Sequence, residues 1–350
     1  MSTNRPAINL KPAFVLGATL GVPVAAMCSG ETRSDDVRAV ARQTGTDVIV
    51  FEFGDMKEMP FAELRTASAS AARLVGTHGD LGIKRNTGLV LGRLAGWRSV
   101  LFLDDDIYEL DPRIVETAVA GLEHHTAVGM PALSFPDNSA VCHAYGLGVG
   151  GQDVFVSGSA LAVDIRSADS FFPSIYNEDW LFLTPHLDRR RVSSFGNVRQ
   201  KTYAPFGDPQ RAEKQEFGDV LAEGLVGYLH SARLLDGPSI GYWAAFLERR
   251  AELISDARRG CVAAMPKNTD AGAALVALDA AERVRSKISA AQLANYVRAW
   301  AGDLQEWRRF LLTVPRLGTV EESITWLEIP AKTVTAERAF RLFLRDGRAS

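Results

Sequence analysis

The run KRNTGLVLGRLAGWRSVLFLDDDI, residues 84–107, decides the fold class. Residues 84–95 read as a helix that stops at Gly96, a residue type suited to helix ends. Residues 98–103, RSVLFL, form a short apolar run of strand length, and they lead straight into Asp104, Asp105 and Asp106. A helix returning the chain to a buried strand is the repeating step of a layered sheet, so the expected class is α/β.

Working outward, the same alternation recurs toward the N-terminus. Residues 22–28 read as a buried strand ending at Ser29-Gly30, and Ser34 is a candidate N-cap for a helix to about residue 43. Residues 47–53 read as a second buried strand. Strand, helix and strand in this order build a parallel sheet. Residues 61–75 are expected to be helical and 76–82 a glycine-rich connection. Asp111-Pro112 marks a helix start with proline in the first turn. Residues 126–165 carry strand-like pieces, 177–183 begin a helix, and 192–203 are expected to be a last strand. Beyond Pro205 the chain turns Ala-, Leu-, Glu- and Arg-rich at helical spacing over 211–233, 240–258, 271–312 and 335–346. The expected organisation is a loose N-terminus over 1–12, an α/β domain over 13–205 and a helical C-terminal region over 206–350.

The chain of 350 residues is 47% hydrophobic and 23% charged, which excludes wholesale disorder. A net charge of -3 gives no support to a nucleic-acid binder. Cys28, Cys142 and Cys261 lie far apart, with neither a disulfide framework nor metal-binding spacing, which favours a reducing, cytoplasmic setting. The apolar stretch 13–27 is broken by Gly17, Gly21 and Pro23. It is too short for a transmembrane segment and reads as a strand rather than a signal peptide.

Three consecutive carboxylates after a buried strand concentrate negative charge at the carboxyl edge of a sheet, where open α/β sheets bind ligands. Hard cations such as Mg²⁺ or Mn²⁺ take oxygen ligands, commonly one or two carboxylates with substrate phosphates. A solvated acidic loop is the competing reading of this run.

Together these segments resemble the GT-A-fold, nucleotide-sugar glycosyltransferases, especially family 2. The resemblance rests on Lys84, Arg85, Asn86, Gly88 and Gly96, then the strand 100–103 ending in a DxD-like motif, Asp104 to Asp106. FVSGSALAVD, residues 155–164, is similar to the glycine-containing segment that lines the sugar and acceptor side of such sites, here through Gly158 and Ser159. YNEDWLFL, residues 176–183, resembles the ED motif at a helix start. The resemblance covers about residues 20–205. It implies sugar transfer from a UDP- or GDP-sugar donor to an acceptor hydroxyl with Mn²⁺ or Mg²⁺. Asp104 would contact ribose or the cation's water shell, Asp106 would bind the cation, and Asp105 would sit on the donor side. Asp179, beside Glu178, maps onto the general base of inverting members. A pair of acids favoured by a helix N-terminus is the competing reading of Glu178-Asp179.

Further candidates follow from the same resemblance. Cys28, Ser29 and Gly30 fall where the base pocket is built, and Glu52 where an acid meets base or ribose. Each also reads as an ordinary strand-end residue. Lys84 and Arg85 are candidates for the uracil edge or diphosphate, against a solvated helix face. Family members commonly supply a late histidine to the metal, whereas GNVRQKTY, residues 196–203, has none. Coordination then rests on Asp106 and the diphosphate, or draws on His186 or His230, with Arg199 and Lys201 as candidate diphosphate contacts. The C-terminal helices fit an acceptor cover or a homodimer interface. The rival readings are a sugar-nucleotide pyrophosphorylase and a non-catalytic sugar-nucleotide binder. CSGETRSDD, residues 28–36, is too acidic for the pyrophosphorylase loop.

Overall fold

The computed structural model describes residues 1–54, 56, 59, 62–68, 79–133, 139–151, 156–231 and 237–335. Most of the helix expected at 61–75, part of the connection at 76–82 and nearly all of the helix expected at 335–346 lie outside the described residues.

The chain is a mixed α/β protein built on two four-stranded sheets. In the first, β1 (Ser2–Thr3), β2 (Val24–Cys28) and β3 (Val48–Glu52) run parallel, and β10 (Ala331–Val334) closes the edge antiparallel to β3. In the second the order is β4 (Ser99–Leu103), β7 (Ala160–Asp164), β6 (Ala127–Gly129) and β8 (Val192–Ser194). A single parallel bridge between Ser2 and Asp104 brings β1 against the end of β4. The chain therefore moves from β1 to β2 and β3 on one side, then crosses to β4 on the other side of β1. Such a reversal opens a crevice at the carboxyl ends of the two strands.

Helices α1 (Lys11–Leu20) and α2 (Ser34–Thr44) join the first three strands. Helix α3 (Arg65–Ser68) is short, and α4 (Leu81–Leu94) feeds β4. Helix α5 (Pro112–Ala120) starts as expected, with the Asp111 side chain accepting from Arg113 N and proline in the first turn. Two-stranded pairing of β5 (Ile107–Tyr108) with β9 (Arg199–Gln200) folds a late segment onto the loop after β4. Helix α6 (Ala140–Gly148) lies within the region expected to carry strand-like pieces, and α7 (Glu178–Asp188) precedes β8.

The remaining helices are α8 (Pro209–Leu229), α9 (Ile240–Ala264), α10 (Ala271–Arg285), α11 (Ala290–Thr313) and α12 (Val320–Leu327). The run 271–312, read as helical in its spacing, forms two helices. Ser289 and Gln292 form a reciprocal capping box that starts α11 afresh. None of the described helices is long and apolar enough to cross a membrane.

Three expectations are corrected here. Residues 1–12 are not loose, since they contain β1, a 3₁₀ turn at Ala7–Leu10 and the start of α1. Residues 13–27 are not one strand. Pro12 begins a helix whose inward face buries Ala13, Phe14, Leu16 and Gly17, and Gly21 ends it in the left-handed region at φ 64°. The C-terminal region is not purely helical, because it supplies β10. Nor is it a separate body. One core cluster joins Met27, Ile49 and Phe51 of the first sheet to Trp300, Trp307 and Leu327 of α11 and α12. Asp303 of α11, fully buried, also accepts from the backbone N–H of Arg65 and Thr66.

Helix α8 lies so close to the segment before α7 that a Cβ on Gly218 would collide with the Tyr176 carbonyl oxygen. Gly218→Ala should therefore lower stability by about 1–3 kcal/mol through overpacking. Gly146→Ala, on the exposed side of α6 with nothing near its Cβ, should raise stability by about 0.5–1 kcal/mol. Urea unfolding of both variants checks the contrast, and equal effects would contradict the close approach.

Candidate functional site

The loop leaving β4 is pinned by backbone bonds on both sides. Asp104 N donates to Ser159 O at 2.9 Å, and Lys201 N donates to Asp106 O at 2.9 Å. The second bond follows from the pairing of β5 with β9. The three aspartates are thus presented at the crevice between β1 and β4 rather than in a solvated loop, and Asp105 and Asp106 are buried.

Arg85, buried on α4, reaches across this edge. Its Nη1 donates to Glu178 Oε1 at 2.6 Å, and its Nη2 donates to Asp104 Oδ1 at 2.9 Å and to Gly158 O at 3.1 Å. Burial alone would lower the guanidinium's affinity for its proton. Asp104, Glu178 and Asp179 outweigh burial and hold it above its ordinary value. A Cβ on Gly158 would strike Arg85 Nη1 and lie 2.7 Å from Asp179 Cβ, so the glycine is a consequence of this convergence.

Glu178 and Asp179 open α7 after Asn177, whose φ of 59° is in the left-handed region. Asp179 Oδ2 accepts from Gly158 N at 2.5 Å and Oδ1 from Trp180 N at 2.9 Å. These two bonds fix the carboxylate plane. Burial pushes the Glu178 carboxyl up to about 8, with Arg85 opposing and Asp179 adding to the rise. Burial also raises Asp179, against Arg85 and its two N–H donors.

A second strand of contacts joins β1 to the same edge. Lys84 Nζ donates to Ser29 Oγ at 2.7 Å and Thr3 O at 2.9 Å, and pairs with Asp80 at 3.0 Å. Burial lowers its pKa while Asp80 raises it. Asp105 accepts from Thr3 Oγ1 at 2.6 Å and pairs with Arg5 Nη1 at 3.2 Å. Asp106 Oδ2 accepts from Arg5 at 3.3 Å and more weakly from Gln200 Nε2 at 3.4 Å. Asp106 Oδ1 is buried and accepts no hydrogen bond among the described residues. Burial and then Asp104 raise the Asp106 pKa, with Arg5 opposing.

The structure therefore brings together Ser29, Lys84, Arg85, Asp104, Asp105, Asp106, Gly158, Glu178 and Asp179. Ser159 joins through its carbonyl, while its hydroxyl bonds Ser157 Oγ at 2.9 Å. Asn86 does not face the site. Its amide clamps the backbone of Phe172 at 2.8 Å in both directions. The Cys28 thiol is buried, pushed up to about 12 by burial, and directed at Ala26 O. Gly30 makes a left-handed turn against Asn4. Glu52 pairs with Lys332 of β10 at 3.2 Å. Arg199 pairs with Glu109, and the Lys201 amine donates to Asn9. Thr3, Arg5 and Gln200 are the residues that sequence reasoning missed.

Neither candidate histidine meets the aspartates. His186 is fully buried farther along α7, pushed down to about 4 mainly by burial, and His230 is exposed at the end of α8. Among the described residues, the one trio of metal-ligating side chains with mutually close atoms is Cys142, Asp219 and Glu223. Arg250 already fills that cluster, pairing with Glu216, Asp219 and Glu223 at 2.7–3.1 Å.

Asp104 and Asp106 nonetheless fit a hard cation that takes most of its ligands from phosphate and water. Asp106 offers a buried oxygen with no partner, and Asp104 keeps part of its side chain exposed. Six linked carboxylates (Asp80, Asp104, Asp105, Asp106, Glu178, Asp179) meet three cations (Arg5, Lys84, Arg85), an excess a divalent ion would offset. The chain matches no protein-family model, and no curated protein is significantly similar to it.

The raised carboxyls have a measurable consequence. From about its ordinary 4.5 to about 8, Glu178 holds a proton in the folded chain that the unfolded chain has released. Its contribution to stability is complete below that window and is lost as pH rises through it. His186 acts oppositely below its ordinary 6.5, and the buried Met1 amino group, pushed down by burial from about 8 to about 5, acts oppositely up to about pH 8. The stability of the native chain relative to Glu178→Gln, read by urea unfolding without added metal, should therefore fall between about pH 6.5 and 8. An unchanged slope in the variant would refute the assignment.

Proposed function

We propose that this chain is a metal-dependent glycosyltransferase with a GT-A-like domain, moving a sugar from a nucleoside-diphosphate donor to an acceptor hydroxyl. One observation carries the reading: the DDD run and the ED pair, distant in sequence, meet around Arg85 at the crevice where the strand order reverses. A solvated acidic loop would have no reason to share a buried cation with a helix start.

In this reading Asp106, through its free oxygen, and Asp104 hold Mn²⁺ or Mg²⁺. When bound, the ion neutralises charge gathering on the departing diphosphate. Asp179 removes the acceptor hydroxyl proton, which suits inversion. Its raised pKa brings it nearer to neutral, where a general base is most effective. Gly158 N and Trp180 N hold its carboxylate in one orientation, leaving each oxygen a further lone pair. Arg85 positions Asp104 and Glu178; its terminal nitrogens are committed and it does not serve as a donor contact. Arg5, half exposed, is the cation whose outer side remains open to phosphate. Three buried free cysteines, Cys28, Cys142 and Cys261, favour a cytoplasmic setting.

The test is incubation with a panel of UDP- and GDP-sugars, Mn²⁺ and hydroxyl acceptors. Free nucleoside diphosphate is the expected product, whereas pyrophosphate, or binding without turnover, would contradict transfer. Asp106→Ala should abolish Mn²⁺-dependent donor binding. Asp179→Asn should spare binding and cut turnover by about 10²–10⁴-fold. Unchanged metal-dependent affinity in the first variant would remove the central assignment.

A further inference from the structure

The ends of β4, α4 and α7 remote from the acidic crevice carry a face of the opposite sign. Arg98 enters β4, and Arg316 reaches back to Gly96 O, just past α4, at 3.4 Å. Arg166 follows β7 and pairs with Asp164. At the far end of α7, Arg189 pairs with Asp169, and so does Arg308 of α11. Arg309, beside it, pairs with Glu306. The bonds Ile165 N to Arg98 O and Leu317 N to Leu94 O tie these segments into one surface. Four of these six arginines pair with three acids, and Asp188, Glu321 and Glu322 are the further acids on the same segments, so arginine stays matched or in excess here on a chain whose net charge is -3. The gathering of arginines therefore reflects placement rather than composition.

One apolar side chain projects from this basic ground. Leu312 follows Arg308 and Arg309 at i+4 and i+3 on α11, so it shares their side of the helix. At 87% it is more exposed than any other large hydrophobic residue among those described. Arginine forks match phosphate oxygens two at a time. A leucine standing among them has no use on a nucleic-acid backbone, but it gains by entering an interfacial layer.

We propose that this face docks on an anionic phospholipid surface, with the arginines on headgroup phosphates and Leu312 inserted between them. Clusters of arginine near a membrane surface act in this way through counter-charge and fade as salt screens them. The geometry also sets the orientation. Helix α4 runs from Arg85 in the acidic crevice to Leu94 at this face, nine residues on or about 14 Å at 1.5 Å per residue. The crevice then stands clear of the headgroups and open to water.

Co-sedimentation of the full chain with phosphatidylcholine vesicles, with and without phosphatidylglycerol, tests this. The assay needs neither donor nor metal, so its outcome is independent of the proposed sugar transfer. The expected result is binding to the phosphatidylglycerol vesicles alone, lost at high salt. The double variant R309E/R316E should weaken it at least about tenfold, and Leu312→Glu by several-fold. All three positions are exposed, and unchanged melting would verify the variants' fold. Equal binding to neutral vesicles would overturn the proposal, as would tighter binding to duplex DNA. So would anionic binding that both variants leave intact, or that disappears only when the basic, apolar sequence of residues 336–350 is deleted.

Discussion

The carboxyl edge of the sheet depends on one buried cation, the Arg85 guanidinium. Taking such a group out of water costs several kcal/mol, and the cost is offset only if charged or dipolar partners surround it. Asp104, Glu178 and the Gly158 carbonyl do so, from three separate segments of the chain. A planar fork fixes both direction and distance, which the single point charge of a lysine would not. The guanidinium thereby sets how β4, the segment before β7 and the start of α7 stand relative to one another. The absence of a side chain at Gly158 is part of the same constraint.

A second buried cation explains why the C-terminal helices belong to the site rather than beside it. Arg250 on α9 is held by Glu216, Asp219 and Glu223 of α8, and Asp219 Oδ1 accepts from Asn177 Nδ2 at 2.8 Å. Asn177 adopts a left-handed conformation that costs most residues about 1–2 kcal/mol, though asparagine tolerates it better. Its bond to Asp219 holds that turn, and the turn aims Glu178 and Asp179 back at Arg85. The acidic pair is thus set between two guanidiniums, one binding Glu178 directly and the other acting through Asn177.

Much of this was legible because local signals and long-range packing agreed. The apolar strand ending in Asp104 to Asp106, the Asp111-Pro112 helix start and the glycine stop at Gly96 each follow from short-range chemistry. What was not legible depends on partners distant in sequence. Ser2–Thr3 is a strand only because β2 and Asp104 lie beside it, and nothing in MSTNR signals that. Arg5 and Gln200 reach the aspartates through the same kind of pairing. Residues 13–20 have the apolar content of a strand, yet Pro12 and Gly21 bound them as a helix. Asn86 looked like a ligand contact by analogy, whereas its amide is consumed by the Phe172 backbone. β10 gave no local sign that it would edge a sheet begun three hundred residues earlier.

The charge of the crevice raises a difficulty that its geometry resolves. The diphosphate of the proposed donor should be repelled from a place where six carboxyl groups meet three cations and, with Glu178 protonated, five carboxylates still outnumber them. Two of the three cations are committed inward: Arg85 is enclosed by protein, and Lys84 is spent on Thr3, Ser29 and Asp80. Arg5 alone has an open side, and it already offsets part of Asp105 and Asp106. In the proposed reading, attraction therefore comes from an added positive charge. Burial, with a smaller addition from neighbouring carboxylates, raises the pKa values of Glu178, Asp179 and Asp106 and gives each a tendency to keep its proton. A divalent ion at Asp106 would satisfy that tendency more fully than a proton, because it serves several carboxylates at once and leaves coordination positions for phosphate. The case for metal dependence accordingly rests on unneutralised buried charge beside one free oxygen, not on a preformed trio of ligands.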